Sequence, residues 1–221
     1  MRKILILMTA LLMCGAVNVS AQEDAQATSK FKRFENNFYI GAGRFIDRYN
    51  DPYNQSKHFD TEKGLTIKLG YGLNYYFTEM FSLMGGLSYR EDDIYAFEDE
   101  PEGADSDYFS FWDVPVVFQV HLNAPQSTNG KWMVGLGLVY SHCKENCTYY
   151  IDADPNDPLD GEIKIKDNYI SLMPCAAYEI KHFRFGVEAY IGLNDVNRKY
   201  EGRVSGKKYL HNVCAVFGVK F

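Results

Sequence analysis

The chain has 221 residues, with 23 Lys and Arg against 29 Asp and Glu, a formal charge of −6. That balance argues against nucleic acid, whose recognition calls for basic patches. Aromatic residues are 15% of the chain, 17 Tyr and 15 Phe among them, and 18 Gly are spread along it. Past the first segment no run approaches the about 18 continuous apolar residues of a spanning helix, so a helical membrane span is excluded and an all-β chain favoured.

Residues 1–21 have the layout of an export signal. Arg2 and Lys3 give the positive start, Ile4 to Met13 the apolar centre, and Val19-Ser20-Ala21 a small-residue cleavage site before Gln22. The apolar run is shorter than the roughly 20 residues a membrane anchor needs. Cys14 offers a lipidated alternative, for which Met13 is a poor preceding residue. Cleavage near Ala21 removes Arg2 and Lys3 and takes the formal charge from −6 to −8. Residues 22–35 are then expected as a short periplasmic segment and 36–221 as one barrel domain.

Alternation predicts eight strands, at 36–46, 64–77, 81–94, 108–122, 131–149, 167–180, 183–195 and 209–221. In the second, Leu65, Ile67, Leu69, Tyr71, Leu73, Tyr75 and Phe77 share one face, with Thr66, Lys68, Gly70, Gly72, Asn74 and Tyr76 on the other. The last puts Val213, Ala215, Phe217, Val219 and Phe221 opposite Asn212, Cys214, Gly218 and Lys220. Each strand exceeds the about 9–11 residues needed to cross a bilayer. Connections are tight at 78–80 and 181–182, modest at 123–130, and long and polar at 47–63, 95–107, 150–166 and 196–208. Short turns at one end and long loops at the other predict an all-β, eight-stranded antiparallel up-and-down transmembrane β-barrel. The strand ending at Phe221 is the expected point of contact with the outer-membrane assembly machinery, and outer-membrane lipid the expected surroundings.

The run Tyr108-Phe109-Ser110-Phe111-Trp112-Asp113-Val114-Pro115-Val116-Val117-Phe118 resembles the strand carrying an acidic residue, an apolar residue and Pro in PorT-like outer-membrane β-barrel proteins of Bacteroidetes. Residues 81–89 and 185–190 are similar to that family as well. The resemblance spans most of 36–221 and implies an eight-stranded barrel in the outer membrane of a Gram-negative bacterium. It supplies no catalytic motif to carry over.

If the apolar face meets lipid, the lumen receives Lys68, Asn74, Arg90, Asp92, Asp113, Gln119, His121, Glu179, Arg184, Glu188 and Lys220. An eight-stranded barrel is just wide enough for side chains to fill, and buried charges must be paired. These residues are expected to form a polar plug, with a narrow ion pathway as the alternative. Trp112, Trp132, Tyr71, Tyr75, Phe77, Phe81 and Phe183 fit interfacial aromatic girdles.

Nine acids fall between Glu91 and Asp107, and Asp152, Asp154, Asp157, Asp160 and Glu162 lie in the next long loop. Oxygen-rich loops suit Ca²⁺, so Asp152, Asp154, Asp157 and Asp160 are weak candidates. The EF-hand pattern fails, because Asp157 stands where Gly is required and Ile163 where the closing Glu belongs. Of the cysteines after the signal, Cys143 and Cys147 are four residues apart, about 13 Å along a strand, beyond the about 7 Å Cα reach of a disulfide. Folding the fifth and sixth strands about a loop centre near 158–159 places Cys143 almost opposite Cys175 and offers a cross-strand bridge, the alternative being that these are small inward-facing packing residues.

No phosphate loop, HExxH or GxSxG is present and no cofactor is expected. Ser141 and His142 point to opposite faces, so an enzyme is not expected. The sequence therefore predicts a structural or interaction barrel offering acidic extracellular loops to an external or periplasmic protein. Its alternatives are an assembly or secretion helper of PorT type, a narrow ion or small-solute pore, a soluble lipocalin-like binder and a lipid-modifying enzyme.

Overall fold

A strand with one apolar and one polar face must shelter one of them, and here eight strands do so by closing on themselves. The computed structural model describes residues 33–50, 60–93, 108–122, 130–145, 148–150, 162–197 and 207–221. In chain order the strands are β1 (Phe34–Asn50), β2 (Asp60–Tyr76), β3 (Phe81–Asp93), β4 (Tyr108–His121), β5 (Lys131–Glu145), β6 (Thr148–Tyr150), β7 (Glu162–Lys164), β8 (Asn168–Ile180), β9 (Phe183–Gly192) and β10 (Lys207–Lys220). Eight of them form a closed antiparallel barrel ordered β1-β10-β9-β8-β5-β4-β3-β2, and β6 pairs with β7 as a separate two-stranded ladder. Closure leaves the barrel no sheet edge. The expected export signal, the acids at 94–107, Cys147 and Asp152, Asp154, Asp157 and Asp160 lie outside the described residues.

β1 starts at Phe34, two residues ahead of the expected 36. The expected fifth strand, 131–149, divides, with β5 ending at Glu145 and β6 joining β7. The cause lies at a bulge. Ser110 faces Glu145 while Phe111 faces Cys143, so β5 carries an extra residue there, and such an insertion bends the strand and disrupts its ladder. Pro115, which has no N–H to donate, meets Gly86 where the β3–β4 pairing lapses between Gly85↔Val116 and Ser88↔Asp113. Pro174 falls in a similar gap of the β8–β9 pairing, between Leu172↔Ile191 and Cys175↔Glu188.

The expected Cys143–Cys175 bridge is corrected by the register. Cys175 lies opposite Gly135, and the Cys143 N–H reaches Asp167 O at 2.6 Å. The hairpin therefore folds about an earlier centre than 158–159, and the two cysteines sit at different heights of the barrel. Cys143 is itself disulfide-bonded, to neither of the other described cysteines, since Cys175 and Cys214 are free buried thiols.

Turn chemistry defines the other end. Thr78 Oγ1 accepts from the N–H groups of Met80 and Phe81, each at 3.2 Å, a hydroxyl-stabilised turn. Lys181 supplies the β8–β9 turn with a left-handed φ of 50°. Outward positions carry Ile40, Ile67, Leu83, Val116, Leu136, Phe185 and Phe217, all exposed, whereas the inward positions of the same strands are buried. Near the turns, outward rings meet in pairs, Phe38 with Tyr71 at 5.0 Å and Trp132 with Tyr178 at 5.2 Å.

Without reductant, a maleimide should label neither Cys175 nor Cys214 in the folded barrel and should label both after denaturation, with Cys143 unlabelled throughout. Peptide mapping of the adducts reads this directly, and a Cys175 that stays unlabelled together with Cys143 after denaturation would restore the other pairing.

Candidate functional site

Each polar residue expected in the lumen is buried there, and strand register decides which of them meet. Lys68 on β2 stands directly opposite Arg90 on β3. Like charges facing one another destabilise a sheet unless each has its own counter-charge. Lys68 turns to Glu188, with which it makes an ion pair, and to Tyr190 OH at 2.7 Å. Its ammonium lies 4.8 Å from the ring centroids of both Tyr39 and Tyr190, within cation–π range. Two glycines make this geometry available. A Cβ on Gly41 would stand 2.8 Å from Lys68 Cγ, and one on Gly70 2.3 Å from the Tyr39 ring.

Arg90 turns the other way. Its Nε donates to Asp113 Oδ2 at 2.8 Å and its Nη2 to Asp113 Oδ1 at 3.4 Å, a fork-on-carboxylate arrangement. Nη1 pairs with Asp92 and reaches Asn212 Oδ1 at 3.1 Å, and Nη2 also donates to Tyr169 OH. The carboxylates are held in turn. Ser141 Oγ donates to Asp113 at 2.6 Å, Thr66 Oγ1 to Asp92 at 2.7 Å and Asn212 Nδ2 to Asp92 at 2.8 Å. The Arg90 guanidinium lies 4.4 Å from the Phe111 ring centroid.

Towards the long-loop end the lumen turns apolar. Phe45, Phe109, Phe111, Cys143, Ile165, Tyr169, Val196 and Leu210 form one buried cluster, flanked by a Lys208–Asp47 ion pair at 2.5 Å. At the turn end Glu179 is the hub, with Lys220 at 3.1 Å, Lys131 at 3.2 Å and His121 at 3.7 Å. Lys220 also reaches Glu35 at 3.1 Å, and Glu35 accepts from Tyr76 OH at 3.0 Å. Arg184, buried beside Glu179 in register, has Met133 Sδ at 3.8 Å and leaves Nη1 without a hydrogen-bond partner among the described residues.

Sequence reasoning missed several of these groups. Tyr39, Tyr169 and Tyr190 alternate inward like any core aromatic, and nothing local marks the Tyr190 hydroxyl and Tyr39 ring as partners of Lys68, or the Tyr169 hydroxyl as a partner of Arg90. The Asp47–Lys208 pair was hidden in segments read as loop. Ser82 Oγ lies 3.0 Å from His121 Nε2, so Ser82, His121 and Glu179 follow the hydroxyl–imidazole–carboxylate order of a hydrolase. The Ser82 and His121 side chains are fully buried, the His121–Glu179 separation exceeds hydrogen-bond length, and Glu179 is held by two lysines. These contacts support the lumen wall. Ser141 and His142 diverge as expected, Ser141 buried against Asp113 and His142 exposed against Asn168 at 2.7 Å. Among the described residues no group of three His, Cys, Asp or Glu is placed to hold a metal ion.

The buried ionised side chains balance. Asp47, Asp92, Asp113, Glu179 and Glu188 stand against Lys68, Arg90, Arg184, Lys208 and Lys220, five of each sign among the described residues. Among the described residues the formal charges buried in the lumen therefore sum to zero.

No family model matches the chain, and no curated protein does. Among solved structures it is similar to Neisserial surface protein A, at 15% identity and TM-score 0.46 over 83% of this chain and 97% of the other. OprG from Pseudomonas aeruginosa matches at 12% identity and TM-score 0.44, over 84% and 95% of the two chains. Ail, the attachment invasion locus protein of Yersinia pestis, matches at 13% identity and TM-score 0.39, over 84% and 99%. All three scores are below 0.5, and the closure of the barrel rests on its own strand pairing.

Replacing Arg90 by Met should destabilise the barrel by about 3–5 kcal/mol, because Asp92 and Asp113 would remain buried without their counter-charge. Urea unfolding of the detergent-solubilised protein measures this. Asp92→Asn should cost less, since Arg90 keeps its fork on Asp113.

Proposed function

We propose that this chain is a small outer-membrane β-barrel with a side-chain-filled, non-conducting lumen, acting as a structural or interaction protein through its long-loop end. The observation that carries this reading is the radial polarity. Among the described residues 28 large apolar or aromatic side chains are exposed, and charge is gathered inside. A fully sheltered side chain of this size gains about 1.5–3 kcal/mol, so even half that amount per residue sums to tens of kcal/mol. Net domain stability is only about 5–15 kcal/mol. A soluble monomer could not carry such a surface, whereas a hydrocarbon solvent rewards it, and a closed barrel satisfies every strand's backbone in lipid. A lipocalin-like binder needs the opposite polarity.

Outer-membrane barrels carry short periplasmic turns and long extracellular loops, which directs the acids from Glu98 to Asp107 outward. A cationic external protein surface is the partner chemistry they fit, and divalent cations on Asp152, Asp154, Asp157 and Asp160 would steady the neighbouring loop. The packed cluster around Phe45, Phe109 and Phe111, with the Arg90 network beneath it, opposes the pore reading. The lack of an accessible nucleophile beside His121 opposes the hydrolase. Removal of the export signal near Ala21, and recognition of β10 by the assembly machinery, belong to the same proposal.

A second reading, the PorT-type assembly or secretion helper, draws on the sequence resemblance and on Glu35. Lys220, Asn74 and Tyr76 hold that carboxylate at the turn end, where a periplasmic partner would meet the barrel. Crosslinks from the turn end to secretion components, with a secretion defect on deletion, would favour it.

On a mild SDS gel of outer-membrane fractions the unboiled protein should run faster than the boiled one. In planar bilayers the same protein should be electrically silent. A soluble periplasmic protein with no heat shift would overturn the membrane location, and steady currents that respond to substitution of Arg90 would overturn the sealed lumen.

A further inference from the structure

The buried charges cancel over the lumen as a whole but not at each level of it. In the central layer Arg90 serves two carboxylates, Asp92 and Asp113, while Lys68 pairs with Glu188. At the turn end the excess is positive. Lys131, Lys220 and Arg184 stand there against Glu179 and Glu35. Lys131 and Lys220 take Glu179, at 3.2 and 3.1 Å, and Lys220 also takes Glu35 at 3.1 Å. Arg184 is the cation left over. It faces Glu179 in register, yet Nη1 has no hydrogen-bond partner among the described residues. The residue is only 4% exposed, and Met133 Sδ, at 3.8 Å, carries no charge to offset it. An unpaired buried charge is costly. Water can supply its hydrogen bonds but not the missing negative charge.

The inward positions around Arg184 are small. Gly218 lies opposite it on β10, Gly186 is the next inward residue on β9, and Ala177 faces Gly186 from β8. A Cβ on Gly218 would stand 2.6 Å from Asn37 Oδ1, so the Asn37 amide overlies the position beside Arg184. That amide oxygen is buried and also lacks a partner, and a half-turn of the amide presents Nδ2 there as a second donor. Further in, Met84, Val117, Met133 and Met173 belong to one buried apolar cluster, which closes the lumen above this level. Lys131 and Glu35 keep some side-chain exposure, which puts the way in at the turn end.

We propose that the turn end of the lumen binds one small monovalent anion, of the size of chloride or formate, between Arg184 and the Asn37 amide. A guanidinium is suited to such a site because it stays charged and is more weakly hydrated than an ammonium. One unit of negative charge completes the local balance that Glu179 and Glu35 leave unfinished. Asn74 Oδ1, His121 Nδ1 and Glu179 Oε1 are likewise without hydrogen-bond partners among the described residues, and water between them and the ion would satisfy them. The apolar cluster above makes the site a dead end, in keeping with a sealed lumen.

The test uses the full chain, folded in detergent and shown to be heat-modifiable. Urea unfolding is followed in sodium chloride and in sodium gluconate, whose anion is too large for the site, at equal ionic strength. A ligand that binds only the folded state raises the folded-to-unfolded ratio roughly tenfold for each tenfold rise in its concentration above its dissociation constant. Chloride should do this and gluconate should not. Arg184→Gln should remove the difference between the two salts, whatever it does to the stability itself, and Arg184→Lys should keep part of it. In crystals of the unsubstituted chain soaked in bromide, an anomalous peak should appear beside Arg184, a reading that stands even if Arg184→Gln fails to fold. Equal unfolding in the two salts overturns the site and leaves water alone at Arg184. So does a chloride effect that persists in Arg184→Gln, or a bromide-soaked crystal with no peak at Arg184.

Discussion

A ring of eight strands encloses a space no wider than the side chains that line it, and most of this structure follows from that width. Water cannot hydrate a charge placed there, so each ionised group must find its counter-charge on another strand. Register then becomes a matter of electrostatics as well as of backbone hydrogen bonds. Sliding β2 by one residue against its neighbours would turn Lys68 and Thr66 outward and leave Glu188 inside without its counter-charge.

The lumen is layered, and the layers differ in kind. The central one is a nearly saturated network in which serine, threonine and asparagine side chains hold the carboxylates that hold Arg90. Above it a hydrophobic cluster excludes water, which strengthens the ionic contacts beneath by lowering the local dielectric. Below it, at the turn end, Glu179 serves several cations at once and Arg184 retains an unused donor, so that end is held less completely. The polarity of the exterior is simpler, an apolar wall that gives way towards the long-loop end to charged positions of both signs, Arg44, Arg48, Lys63, Glu91 and Asp93 among them.

Much of the fold was legible because strand periodicity has only two phases. Once Leu65, Ile67 and Leu69 were assigned to one face, Lys68 had to lie on the other, and the same logic placed Arg90, Asp113 and Glu188. Which of these would touch was not legible, because partners on different strands are set by register and shear, which no single strand encodes. The Cys143–Cys175 expectation failed for that reason. A loop centre only a few residues away moves every cross-strand partner, and a bulge at Ser110–Phe111 cannot be seen in alternation alone. Ser82, His121 and Glu179 were similarly invisible as neighbours, being far apart in sequence and unremarkable one by one.

The ring is sealed by β1 against β10, paired from Asn37↔Lys220 to Asn50↔Lys207. These are the first and last strands of the barrel in chain order, so the contacts that complete it have nearly the greatest sequence separation the fold allows. Contacts of that kind form slowly. Until β10 is made, β1 keeps one bare edge and an apolar face in water, the condition under which strands pair with the wrong partner. A barrel closed in this way has no partly built form that shelters both edges, so the first strand it makes must wait for the last.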